Sequence, residues 1–221
     1  MNLKIQIEKD QDDFNDSRNI RQEFKSLNTD ILSKYCYNSS LNFNVCILSL
    51  YGNLNVGTII RTSNLMGCQN VIIFGKRTYD KRSAVGSNKY TKLIYQDGFI
   101  KETKNKLQQG DFELSVQKFY DCMIENECIP VFIEQHPKST FLENINWKLH
   151  NDKKLCFIFG NEGEGIPKEI INKGLTIEGS FIICIRQLGV IKSLNVSSAC
   201  SMILSNYNIF KMKQVIDIYN I

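Results

Sequence analysis

Five short apolar runs recur along the 221-residue chain, at 43–50, 70–75, 129–135, 154–160 and 180–185, reading FNVCILSL, NVIIFG, IPVFIEQ, KLCFIFG and SFIICI. Each is too short for an ordinary helix and lacks the polar alternation of a half-exposed strand, so each reads as a strand buried on both faces. Helical patterns lie between and after them, at about 58–66, 114–125, 167–172 and from 194 onward. Strands alternating with helices imply an α/β fold, a parallel sheet with helices on both faces. Pro167 suits a first helical turn, where its missing N–H has no partner, and Gly174 suits a left-handed cap.

The flanks of this core read differently. Residues 1–42 form an N-terminal extension, an acidic start followed by one amphipathic helix with Phe24, Leu27, Ile31, Leu32 and Tyr35 at three- and four-residue steps. Residues 43–221 form the main domain, with no linker to divide it. Within it, 76–111 reads as a long loop carrying Lys76, Arg77, Lys81, Arg82 and Lys89 with Tyr79 and Tyr90 interleaved. Cations neutralise phosphates and aromatic rings stack on unpaired bases, so this loop is a candidate RNA contact. The net charge of +4, from 27 basic and 23 acidic residues, permits such a partner without requiring one.

No apolar run approaches the roughly 18–20 residues that span a bilayer, and the acidic N-terminus lacks a signal block, so the expectation is a cytoplasmic, reducing setting without membrane contact. The eight cysteines are scattered through apolar stretches without a CxxC, and His136 and His150 have no second ligand at helical spacing. Buried thiols and no metal site are expected.

Three of the runs end in polar, glycine-containing loops, and in open α/β sheets ligands bind beyond the carboxyl ends of strands. The first loop, 51–57, leads into the helix bearing Arg61, with Asn55 as a plausible N-cap. The second, Gly160-Asn161-Glu162-Gly163-Glu164-Gly165-Ile166-Pro167, packs three glycines into six residues. Its spacing is that of neither a dinucleotide site nor a P-loop, and its carboxylates disfavour phosphates while suiting hydroxyls, amines or a cationic centre. At Gly163 an added Cβ is expected to clash in a tight loop, provided that its φ is positive or the ligand is close. In the third, Ser193 reads as a helix cap, leaving Asn195 in the first turn with a partner other than the backbone.

Together the three segments resemble the ordered motifs of the SpoU/TrmH group of SPOUT RNA methyltransferases. The first matches as Asn55-x-Gly57-x-x-x-Arg61-Thr62, the second as Gly160 to Pro167, and the third as Gly189 to Val196 with Ser193-Leu194-Asn195-Val196 intact. Ile185-Arg186-Gln187 departs from the usual Ile-Pro pattern, exchanging a fixed φ for a charge. The continuation from Gln187 to Lys192 is similar to members that methylate a guanosine ribose in tRNA.

The resemblance implies a SPOUT fold with a C-terminal trefoil knot, a homodimer joined near the two active sites, and transfer of methyl from S-adenosylmethionine to an RNA ribose 2′-hydroxyl, with tRNA favoured over rRNA. It implies cofactor contacts from Gly160, Asn161, Glu162, Gly163, Gly165, Ile183, Ile185 and Leu194, and places Arg61, Asn55, Glu162, Ser193 and Asn195 at the catalytic centre. Arg77, Lys81, Arg82, Lys89 and Arg186 are the RNA-contact candidates. Methyl transfer from a sulfonium expels a neutral thioether and needs alignment rather than a metal. A guanidinium is a poor base, so Arg61 is assigned an orienting role toward phosphate or hydroxyl. An rRNA methyltransferase and a non-catalytic RNA-binding module are the alternatives.

Overall fold

The computed structural model describes residues 17–48, 52–75, 77–98 and 109–219. Its strands are β1 (Asn44–Leu48), β2 (Asn70–Phe74), β3 (Lys92–Gln96), β4 (Ile129–Ile133), β5 (Thr140–Phe141), β6 (Leu155–Phe159) and β7 (Phe181–Cys184). All pair in parallel, in the order β3-β2-β1-β6-β4-β7-β5. The helices are α1 (Thr29–Asn38), α2 (Asn53–Leu65), α3 (Lys81–Ala84), α4 (Gln109–Glu125), α5 (Lys168–Gly174) and α6 (Val196–Tyr219).

Successive strand residues point to opposite faces. Val45, Ile47, Val71, Ile73, Val131, Phe157, Phe159 and Ile183 pack with Ile59 and Ile60 of α2 and Cys200, Ile203, Leu204 and Tyr207 of α6. Cys46, Leu48, Ile72, Phe74, Phe132, Cys156, Ile158 and Ile182 pack with Phe119 and Met123 of α4 and Ile170 and Ile171 of α5. Burial on both faces is what makes the strand sequences continuously apolar. The chain steps outward from β1 to β3 and then crosses over, so strand order reverses between β1 and β6, where ligands gather above the carboxyl ends.

The described residues of the expected loop at 76–111 include regular elements. Among them are α3, a 3₁₀ turn at Ser87–Lys89 and the edge strand β3; residues 76 and 99–108 lie outside the described residues. Lys92 and Gln96 bracket β3, none of whose residues is fully buried, so its polar ends disguise it, as is usual at sheet edges. The expected N-terminal helix is broken. Phe24 closes a 3₁₀ turn, Ser26 takes φ 73°, and Asn28 then caps α1 by accepting from the Ile31 amide at 2.9 Å. Leu27, Leu32, Phe24 and Ile20 gather on Tyr90, a small apolar cluster separate from the main core.

Two other expectations change. Pro167 occupies the N-cap position of α5, just before its first turn, and Gly174 ends α5 without a left-handed φ. A Cβ on Gly174 would lie 2.3 Å from Phe132 Cζ, so this glycine serves close helix–sheet approach. The described cysteines are free, and all but Cys36 are buried. No helix is long and apolar enough to cross a membrane among the described residues.

Tyr207 is fully buried, with a hydroxyl that has no hydrogen-bond partner among the described residues. Burial pushes it up from its ordinary 10.0 to about 12, and pushes the Cys122 thiol up from 9.0 to about 11. Raised values mean that the folded state holds the proton more tightly. The associated stability is complete below about pH 9, and it is lost as pH rises through the folded values. Thermal unfolding should therefore move to lower temperature above about pH 9. Tyr207→Phe removes an unsatisfied group, so it should leave neutral-pH stability equal or higher and flatten the alkaline decline. Melting curves from pH 7 to 11.5 check both.

Candidate active site

A cleft of about 410 Å³ opens above the carboxyl ends of β6, β4 and β7, three neighbouring strands. Its floor and walls come from the Gly160–Gly165 loop, the end of β4, and the segment that leads into α6. The glycine loop closes on itself: the Asn161 amide donates to the Gly165 carbonyl at 3.1 Å and the Gly165 amide returns to the Asn161 carbonyl at 2.8 Å. Asn161 Oδ1 accepts from the amides of Gly163 and Glu164, at 2.9 and 3.3 Å.

A Cβ on Gly160 would sit 2.3 Å from the Gly165 carbonyl carbon, and Gly165 itself takes φ 70°. The steric demand therefore falls on Gly160 and Gly165. Gly163 is exposed and has no positive φ, so of the two conditions for a clash there the backbone one is not met. Gly57 of the first segment serves packing between helices instead. A Cβ there would meet Ser83 Oγ at 2.1 Å, so its absence lets α3 lie close on α2.

The three segments meet through side chains. Glu162 Oε1 accepts from the Gly52 amide at 3.0 Å and from Asn55 Nδ2 at 2.8 Å. Asn195 Nδ2 donates to Asn55 Oδ1 at 3.1 Å. Asn195 Oδ1 in turn accepts from the Ser197 amide at 2.9 Å and the Ser198 amide at 3.3 Å, which caps α6. Asn195, not Ser193, is thus the cap, and Asn55 lies in the first turn of α2 rather than capping it. Ser193 lines the cleft instead.

Gly160, Asn161, Glu162, Gly163, Gly165, Ile185 and Leu194 all line the cleft, as does Asn195. Ile183 does not: it is fully buried in the core, with its carbonyl taken by the Glu134 amide at 3.0 Å. Arg61 also stands apart. Six residues beyond Asn55, about 9 Å along the helix axis and on another face, it is exposed and lines a separate cavity of about 750 Å³ between α2, the 19–41 segment and Tyr90. No ion pair engages it among the described residues.

Three of the RNA-contact candidates carry carboxylate partners. Arg77 bonds Asp97 at 3.2 Å. Arg82 bonds Asp80 at 2.5 Å and holds that carboxyl down to about 2, chiefly through hydrogen bonding. Arg186 bonds Glu143 at 2.5 Å with its guanidinium 3.7 Å over the Phe141 ring, so the residue standing where proline is usual is latched onto the β5 edge. Lys81 and Lys89 are exposed.

Sequence reasoning missed Glu134 and Gln135, which line the cleft directly after β4. They were absorbed into the apolar run that precedes them, although the rule applied to the other strand ends points to them too. The cleft fits an S-adenosylmethionine-like ligand: Ile133, Ile185, Leu194 and Val196 give apolar walls, Glu162 and Glu164 supply acceptors suited to a cation, and the glycines admit close backbone approach. Among the described residues no group of three or more His, Cys, Asp or Glu could hold a metal ion.

A parallel sheet with this cleft beyond the carboxyl ends of its strands defines a class, that of the SpoU and TrmH methyltransferase structures. The SpoU rRNA Methylase family model matches residues 42–205, and the chain belongs to that family. The fold is similar to that of the A. aeolicus TrmH/SpoU tRNA modifying enzyme, at TM-score 0.64 and 19% identity, covering 84% of this chain and 83% of that one. It is also similar to the AdoMet-bound rRNA methyltransferase of Sinorhizobium meliloti, at 0.58 and 22%, covering 76% and 56%. The SpoU methyltransferase AviRb of Streptomyces viridochromogenes, in complex with AdoMet, gives 0.56 and 18%, covering 77% and 58%. The chain thus spans a little over half the length of these last two proteins. No curated protein matches it by sequence.

Proposed function

We propose that the protein is an S-adenosylmethionine-dependent RNA methyltransferase acting on a ribose 2′-hydroxyl, with a tRNA guanosine as the favoured target. The observation that carries this reading is the Glu162–Asn55–Asn195 chain of hydrogen bonds, which ties the three family segments around one cleft. The tRNA preference rests on the 187–192 segment and its likeness to guanosine-specific members. By the same reading residues 43–221 form the methyltransferase domain, with a C-terminal trefoil knot, and residues 1–42 are an extension.

When bound, S-adenosylmethionine supplies an electrophilic methyl group on a sulfonium. The Gly160–Gly165 backbone holds it, the cleft carboxylates favour its positive charge, and the apolar walls exclude water. Arg61 orients the ribose hydroxyl and its neighbouring phosphate through the planar guanidinium fork.

Because Arg61 lies outside its own chain's cleft, the reading requires a homodimer in which each cleft receives the arginine across the interface. Leu54 and Leu65 of α2 and Met202, Ile209 and Met212 of α6 are large, apolar and exposed, on two helices that pack together. Exposed apolar side chains on two packed helices suit a second copy of the chain.

Incubating the protein with labelled S-adenosylmethionine and separate tRNA and rRNA pools, then mapping any ribose-methylated nucleotide, tests the reading. Label in rRNA alone corrects the target, and label in neither favours a non-catalytic module. A further expected result concerns the RNA surface. Replacing Arg77, Lys81 and Arg82 together by alanine should lower RNA affinity and reduce the slope of log affinity against log salt by about two, leaving cofactor affinity intact. An unaltered slope would assign this segment to structure alone.

A further inference from the structure

Glu134 and Gln135 belong to none of the three family segments, yet between them they touch both loops that wall the cleft. Glu134 Oε2 accepts from the Ile166 amide at 2.8 Å, and Oε1 accepts from the Gln135 amide at 2.9 Å. The glycine loop lies directly against this carboxylate, since a Cβ on Gly165 would come within 2.4 Å of Oε2. Gln135 reaches the other way: its Nε2 donates to the Lys192 carbonyl at 3.0 Å, one residue before Ser193.

The segment that Gln135 holds has little else to fix it. Gly189 has nothing within 4 Å of an added Cβ, and Leu188 and Val190 are 95% and 100% exposed. Among the described residues, the bond from Gln135 is the one hydrogen bond that ties the 187–194 backbone to another part of the protein. We infer that Glu134 and Gln135 are positioning residues, a clasp at the end of β4 that fixes the glycine loop and the 187–195 segment relative to each other and so sets cofactor affinity. This rests on the reading that the cleft takes S-adenosylmethionine.

The chemistry explains the residue types. Two backbone amides converge on Glu134, so both side-chain oxygens must accept; a glutamine there would turn its NH₂ toward one of the donors. Lys192 presents a carbonyl, so position 135 must donate. Loops fixed before the ligand arrives bind it more tightly, because the entropy of ordering them has already been lost in folding.

The test uses Gln135→Met, which keeps length and removes the donor, and Glu134→Gln, which keeps shape and removes one acceptor, both in the full chain. Without ligand, trypsin should cleave after Lys192 at least about fivefold faster in Gln135→Met, with cleavage after Lys81 unchanged as a control. The Ile166 amide should exchange at least about tenfold faster in Glu134→Gln. Calorimetry should give S-adenosylmethionine Kd values raised about tenfold in both variants, while kcat at saturating cofactor changes less than about threefold. Unchanged cleavage and exchange would overturn the clasp, and so would faster cleavage with unaltered Kd. A wild-type protein that binds no S-adenosylmethionine would sink the cofactor reading, and the claim on affinity with it, whereas clasp failure alone shows as variants that bind like a binding-competent wild type.

Discussion

Gly160→Ala should weaken S-adenosylmethionine binding by at least about 100-fold, or about 2.7 kcal/mol. The added Cβ would lie 2.3 Å from the Gly165 carbonyl carbon and 2.5 Å from both its oxygen and the Ile166 nitrogen. All three are backbone atoms, so no side-chain rotation relieves the overlap, and the loop must open at the Asn161–Gly165 bridge. Overpacking costs about 1–3 kcal/mol and each lost hydrogen bond about 0.5–1.5 kcal/mol, enough together to reach the stated loss. Gly163→Ala is the internal comparison, being exposed and free of positive φ, and it should bind within about threefold of wild type. Calorimetry on both variants decides the matter. If Gly160→Ala binds like wild type, the cofactor does not use this loop.

That comparison also marks what the sequence could and could not convey. The Gly160–Gly165 loop was legible because three glycines follow a run buried on both faces, but only the bridge between Asn161 and Gly165 selects which glycines are crowded. β1, β2, β4, β6 and β7 were legible for the same reason of double burial. β3 was not, because an edge strand half in water carries lysine and glutamine at its ends and looks like a loop. Asn55 and Asn195 were recognised as belonging to the site, yet their roles as cap and partner were transposed. An amide's partner 140 residues away leaves no local trace, whereas an N-cap preference does. Glu134 and Gln135 stayed hidden because their partners, an amide at 166 and a carbonyl at 192, are backbone groups that any residue supplies.

The position of Arg61 was the part least open to sequence reasoning, and it leads to the second large effect. Val56, Ile59, Ile60 and Ser63 make the buried stripe of α2, and Arg61 lies off it in solvent, so neither Arg61→Ala nor Arg61→Lys should shift the melting temperature or the cofactor Kd appreciably. Both should nevertheless lower kcat by at least about 100-fold, the usual share of one positioned group. Lysine retains the charge but not the fork that holds phosphate and hydroxyl in fixed relation. Turnover of Arg61→Lys equal to wild type would remove the orienting role. The separation of Arg61 from its own cleft adds a sharper measurement. In a twofold dimer whose clefts take the arginine across the interface, co-expressing Arg61→Ala with Gly160→Ala produces mixed dimers that contain one intact cleft served by one intact arginine. Half the dimers are mixed and each has one working site of two, so at a cofactor concentration well below the Gly160→Ala Kd about a quarter of wild-type activity should return, although each variant alone retains only a small fraction of it. If Arg61 instead served its own chain's cleft, every site would carry a defect and no activity would return.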